Sequence, residues 1–206
     1  MHRERKKQIL EALILASGEP ISAQRLAGIV PDLSPAGVRE LVRELGEAYA
    51  AQGHAFEIWE VAGGYQLRSR PEYAGYLRQL HKERPLRLSR AALETLAVIA
   101  YKQPVTRAEV EQVRGVEAGP VLRSLVERKL VRIAGHREVP GRPLLYATTG
   151  RFLEVFGLRK LEDLPTLREI EEMLPSAGGD ATPAEEGPAD PGPSHSIPVE
   201  ASGELH

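Results

Sequence analysis

Cysteine is absent from the 206 residues. That single absence excludes disulfides, thiol nucleophiles and thiolate metal ligands, and it fits a reducing compartment. Aromatic residues are scarce at 5%, with one Trp, three Phe and six Tyr. No apolar run approaches the roughly 20 residues of a membrane span. The basic start (Arg3, Arg5, Lys6, Lys7) precedes an apolar stretch that Glu11 interrupts and that lacks a small-residue cleavage site, so it does not read as a signal peptide. The expected location is cytoplasmic. Catalytic signatures are missing as well. There is no phosphate loop or dinucleotide fingerprint, and Gly63-Gly64 reads as a hairpin turn. The histidines (His2, His54, His81, His136, His195, His206) show neither i, i+4 pairing nor a local carboxylate partner. No catalytic residue, metal ligand or cofactor is expected, and the chain does not read as an enzyme.

The net charge of -2 hides an uneven distribution. From Pro175 onward there are six acidic residues and no Lys or Arg, in a segment of Pro, Gly, Ala and Ser with almost no large apolar residues. Such a tail buries too little surface to offset its ordering entropy and is expected to be disordered. Residues 1–174 then hold 27 basic against 23 acidic side chains, and the whole excess falls in residues 81–174. A dedicated duplex-DNA binder usually carries a stronger basic stripe.

What is present is a repeat. At an offset of 84, Ile14, Leu15 and Ala16 match Val98, Ile99 and Ala100, while Pro20, Ile21 and Ser22 match Pro104, Val105 and Thr106. Leu26 and Ile29 match Val110 and Val113, and Val38, Leu41 and Val42 match Leu122, Leu125 and Val126. In the second copy Ser89 caps a helix with Leu93, Leu96, Ala97, Ala100 and Tyr101 as its apolar stripe, ended by Pro104. Thr106 and Glu109 form a capping box, with Val105 and Val110 at the spacing of a hydrophobic staple. Gly115 supplies a left-handed stop, and Pro120 opens a third helix at its first position. The first copy uses Ile21 and Leu26 as staple, and Ser34 and Pro35 to open its third helix. Each third helix leads into a strand pair: residues 56–61 with 65–70 around Ala62-Gly63-Gly64, and residues 131–139 with 144–149 around Pro140 to Pro143.

Three helices and a hairpin, twice, predict an α+β (mainly α) chain of two tandem winged-helix domains: residues 1–80 and 89–174, a linker at 81–88, and the tail at 175–206. A winged helix suggests duplex contact by Arg123, Arg128 and Lys129 on the third helix and by Arg137 and Arg142 around the second hairpin, with Glu127 and Glu138 close enough in sequence to pair with some of them. A winged-helix DNA-binding transcriptional regulator is therefore the alternative reading. Trp59 and Tyr65 on the first hairpin, and Phe152 and Phe156 near Gly150, either pack within their own domain or face a partner. A leucine-spaced segment follows (Leu158, Leu161, Leu164, Leu167, Ile170, Leu174) and offers more apolar surface than so small a domain readily covers.

LSRAALETLAVIAYKQPVTRAEVEQVRGV, GRPLLYATTGRFLEVFGL and LEDLP, within residues 88–165, resemble the C-terminal half of segregation and condensation protein B. Thr106, Arg107, Arg114, Gly115, Gly141, Arg142 and Pro143 mark the family, and several of them read physically as caps and turns rather than contacts. The resemblance implies a non-catalytic subunit of a condensin-like complex in bacterial chromosome condensation, segregation and partition during cell division. It implies a homodimer paired through the N-terminal domains and bound to a kleisin (segregation and condensation protein A), which bridges the heads of the structural-maintenance-of-chromosomes (SMC) ATPase. The protein would be nucleoid-associated, with DNA contacted mainly through the complex. Kleisin contact is assigned to the second domain's outer face and the segment after it: Tyr146, Phe152, Phe156, Leu158, Leu161 and Leu164. Deleting residues 175–206 is expected to leave a cooperative thermal transition, checked by circular dichroism; its loss would contradict the tail assignment.

Overall fold

The computed structural model describes residues 2–81 and 87–173. It is mostly helical with two small sheets. The first assembly contains α1 (Arg3–Ser17), α2 (Ala23–Ile29), α3 (Pro35–Ala51), β1 (Phe56–Val61) and β2 (Gly64–Ser69), followed by α4 (Ala74–His81). The second contains α5 (Arg90–Lys102), β3 (Val105–Thr106), α6 (Arg107–Arg114), α7 (Gly119–Glu127), β4 (Val131–His136), β5 (Leu144–Thr148) and α8 (Gly150–Phe156). Each has its own apolar core, one around Leu10, Ile14, Leu26, Val38 and Leu41, the other around Leu96, Ile99, Val110, Leu122 and Leu125. Residues beyond Pro165 form a separate unit, of which the described part is α9 (Leu167–Met173).

Local chemistry explains where the helices begin and stop. Ser22, Ser34, Ser89 and Thr149 each accept a backbone N–H three residues on, closing an N-terminus with a side-chain oxygen. Pro35 opens α3. Gly115 ends α6 at φ 68°, a left-handed conformation that glycine adopts without a Cβ penalty. α7 starts at Gly119, so Pro120 takes its second position rather than the first.

Thr106 is the most heavily used of these residues. Its hydroxyl accepts the Glu109 N–H at 3.3 Å, and the Glu109 carboxylate accepts the Thr106 N–H at 2.9 Å, completing the capping box. Val105 and Val110 are both buried in the second core, as a staple requires. Val105 and Thr106 also pair with Tyr146 and Leu145, adding a third strand to the second hairpin in the order β3-β5-β4. The sequence offered no sign of that strand. Its counterpart in the first assembly is a single bridge, Ile21 to Tyr65.

The repeat survives in space with one correction. Ile21 and Val105, Leu26 and Val110, and Val38 and Leu122 are buried in matching positions. In the first helix of each copy the true offset is 85, because Ile14 is buried with Ile99 while Leu15 stands exposed. The predicted stripe on α5 is also rotated. Leu93, Ala97 and Tyr101 face outward, and the buried side is Thr95, Leu96, Ile99 and Ala100. The apolar arc on α5 is wider than the strip its neighbours cover, and Thr95 joins the buried strip because Arg114 donates to its hydroxyl.

The first hairpin is tighter than expected and the second has the longer connection. Ala62 and Gly63, at φ 49° and 72°, make a two-residue turn, and Gly64 pairs with Val61 as the first residue of β2. A Cβ on Gly64 would lie 2.8 Å from the Ile21 backbone, so the strand and the bridge need glycine there. Tyr65 is buried in the first core. In the second hairpin the strands stop at His136 and Thr148, and the register shifts between Ile133 and Gly135. Helix α4 was not foreseen and takes in His81, the first residue of the expected linker; residues 82–86 lie outside the described residues, as does the tail.

Two carboxylates tie distant elements together. Arg3, then Lys7, hold the Glu44 carboxyl down to about 2, and Arg137, then the Thr106 cap, hold Glu109 at about 2. Both lie below the ordinary value near 4.5, so folding favours the ionised forms. Their contribution is complete above pH 4.5 and is lost as pH falls toward 2. Thermal melts between pH 5 and pH 2.5 should show falling stability, with a shallower fall in Glu44→Gln and Glu109→Gln. Thr106→Ala should cost about 1 kcal/mol or somewhat more in urea unfolding, since the cap and the box go together.

Candidate partner-binding surface

The outer side of the second assembly holds a groove of about 530 Å³ between α7 and the β4–β5 hairpin. Leu122 and Val126 from α7, Ile133 from β4 and Tyr146 from β5 form its apolar lining. Ile133 and Tyr146 are cross-strand partners, which puts both on the same face of the sheet. The rim carries both signs of charge, with Arg107 and Arg123 beside Glu117 and Glu127.

The loop that shapes one end of the groove is fixed by Glu111. Its carboxylate accepts the Ala118 N–H at 2.8 Å and the Arg107 guanidinium at 2.7 Å, and these two bonds, the backbone one foremost, lower its pKa. A Cβ on Gly119 would come within 3.0 Å of that guanidinium, so the start of α7 can pass close to Arg107. At the other end of α6, Arg114 donates to the Ala91 carbonyl at 2.8 Å and pairs with Glu94 at 2.8 Å. Of the residues that mark the sequence motif, Arg114 therefore ties α6 to α5, and Arg107 braces the Glu111 carboxylate that holds the start of α7.

The six residues expected to meet a partner divide into two places. Tyr146 lines the groove, half-buried. Phe152 is only 3% exposed and belongs to the core, so it can support a surface but cannot itself be one. Phe156 is 43% exposed, with its ring 4.8 Å from that of Phe152. Leu158, Leu161 and Leu164 are half-buried and pack on the second core, covering it rather than standing free. The Tyr101 hydroxyl donates to the Pro165 carbonyl at 2.6 Å, securing the end of that segment. The Leu167 side chain and Leu174 lie outside what is described.

The expected cationic contacts are similarly divided. Arg137 pairs with Glu109 at 2.7 Å, and Arg142 pairs with Glu138 at 3.0 Å. Arg128 bonds weakly to Ser124 at 3.4 Å, while Arg123 and Lys129 are exposed and make no ion pair among the described residues. The Arg142–Glu138 pair was visible in the sequence spacing. The Arg137–Glu109 pair spans 28 residues and had no local signal.

A family profile described as "Segregation and condensation complex subunit ScpB" matches residues 8–167. The chain belongs to the ScpB family. It is 54% identical over 167 residues to segregation and condensation protein B of Syntrophotalea carbinolica, covering 81% of this chain and 84% of that one. The corresponding protein of Moorella thermoacetica is 48% identical over 173 residues, covering 82% of this chain and 88% of the relative. Among solved structures, ScpB from Mycobacterium tuberculosis is 34% identical, with 77% of this chain and 98% of that chain covered and a TM-score of 0.37. The ScpB match spans both assemblies and both hairpins. Among the described residues no helix is long and apolar enough to cross a membrane.

The separation of support from surface can be measured. Phe152→Ala should cost about 3–5 kcal/mol in chemical denaturation, as for a fully buried aromatic. Phe156→Ala should cost about 1 kcal/mol or less, leaving binding assays on the folded variant interpretable.

Proposed function

We propose that this chain is a non-catalytic subunit of an SMC–kleisin complex that condenses and segregates the chromosome during cell division, working in the cytoplasm at the nucleoid. ScpB family membership across residues 8–167 carries this reading. Each assembly, with three helices and a hairpin, is read as a winged helix, residues 1–80 and 89–174. The first supplies a self-complementary face for a homodimer. The second presents its groove and the Phe156–Leu164 segment to the kleisin, segregation and condensation protein A. A dimer can offer two second domains to one kleisin, which makes the second contact intramolecular and raises avidity.

The character of the surface supports a protein partner over a polyanion. Glu117 and Glu127 sit beside Arg107 and Arg123 on the groove rim, and Arg137 and Arg142 are already engaged by carboxylates. A phosphate backbone would be repelled by the first pair and would compete for the second. Direct duplex recognition by this chain, as in a winged-helix transcriptional regulator, is the weaker reading.

The test is size-exclusion chromatography with mass measurement against the kleisin from the same genome. A stable complex holding two copies of this chain is the expected result. No association at micromolar concentration would overturn the proposal, and so would tight, steeply salt-dependent, sequence-specific duplex binding by the isolated chain.

A further inference from the structure

The only tryptophan in the chain sits where the two assemblies touch. Trp59, half-buried on β1, has its ring covered by the Arg68 guanidinium at 3.6 Å from the centroid, and Glu57 holds Arg68 in place at 2.8 Å. The benzo edge of the indole rests on Gly157, the left-handed residue that ends α8 at φ 70°. A Cβ there would lie 3.0 Å from Cζ2 and 3.1 Å from Cη2. One residue later the Leu158 carbonyl accepts the N–H of Ala62, the first residue of the β1–β2 turn, at 2.9 Å. Trp59 belongs to neither apolar core, while Leu158 packs on the second.

We infer that this contact is an intramolecular latch, which clips the first hairpin onto the turn after α8 and holds the two assemblies as one body. Gly157 is doubly constrained, since its φ disfavours most side chains and any Cβ there makes the indole give way by a few tenths of an ångström. One backbone hydrogen bond and one partly covered ring are small beside two independent cores, so the latch can open while both assemblies stay folded. A partner that binds only one of the two states shifts the balance between them. Leu158 is also part of the proposed kleisin-binding segment. If that reading holds, docking and latch opening are coupled, and the coupling is reciprocal. The latch itself does not depend on it.

The full-length chain supplies its own probe, because all tryptophan emission comes from Trp59. Gly157→Asn keeps a residue that tolerates left-handed φ but adds a side chain where the indole lies. It should red-shift the emission, raise quenching by acrylamide and enlarge the radius of gyration in small-angle scattering. Gly115→Asn is the control: φ is 68° and a Cβ there meets nothing within 4 Å, so emission, quenching and size should match wild type. Trp59→Ala should give the same expansion by scattering with its helical circular dichroism retained. An unexpanded Trp59→Ala chain would overturn the latch, whether or not Gly157→Asn folds. So would a folded Gly157→Asn that matches wild type, or an equal response in Gly115→Asn.

Discussion

The second assembly is organised around the place where α6 begins. Thr106 is at once the last residue of a strand, the cap of a helix and one half of a capping box. Val105 and Val110 sink into the core on either side of it, so the entry angle of α6 is set by burial as well as by hydrogen bonds. The other oxygen of Glu109 reaches Arg137 beyond the end of β4, which places the hairpin relative to the same point. The first assembly solves the problem with less. Ser22 caps α2 and Ile21 bridges to Tyr65, but Arg25 stands where a box would need an acid. The two copies share the staple and differ in the lock.

Features that depend on a few adjacent residues were legible in the sequence. Caps, the left-handed glycine, the staple and the first hairpin turn all have local chemical causes. The rotational phase of α5 was not legible, because which side of a broad apolar arc is buried depends on where α6 and α7 lie. A strand of two residues has no periodicity to read, and α4 follows a proline and a short turn without a strong cap signal. At the surface, the spacing that brought Tyr146, Phe156 and the leucines forward was informative about apolar content. It could not distinguish residues that cover a core from residues that await a partner.

That distinction shapes what the surface can do. Phe152 and the leucines from 158 to 164 form a supporting layer, over which Phe156 is partly exposed. The groove beside α7 is a separate feature, lined by Leu122, Val126, Ile133 and Tyr146 under a rim of mixed charge. Recognition by such a groove depends on shape and on the placement of individual ion pairs rather than on a long-range field. Of the arginines in the sequence motif, Arg107 stands on the rim and also braces the Glu111 carboxylate that fixes the start of α7, whereas Arg114 ties α6 to α5.

The irregularity in β4 has a further consequence. This is the longer of the two outer strands of its sheet, and outer strands invite other chains to pair with their free backbone groups, the usual first step toward uncontrolled polymerisation. The register shift at Ala134, with Gly135 at φ 142°, breaks the regular ladder of donors and acceptors halfway along the strand. Another chain could extend this sheet only by first straightening the bulge. A single displaced residue thereby protects the chain against edge-to-edge aggregation.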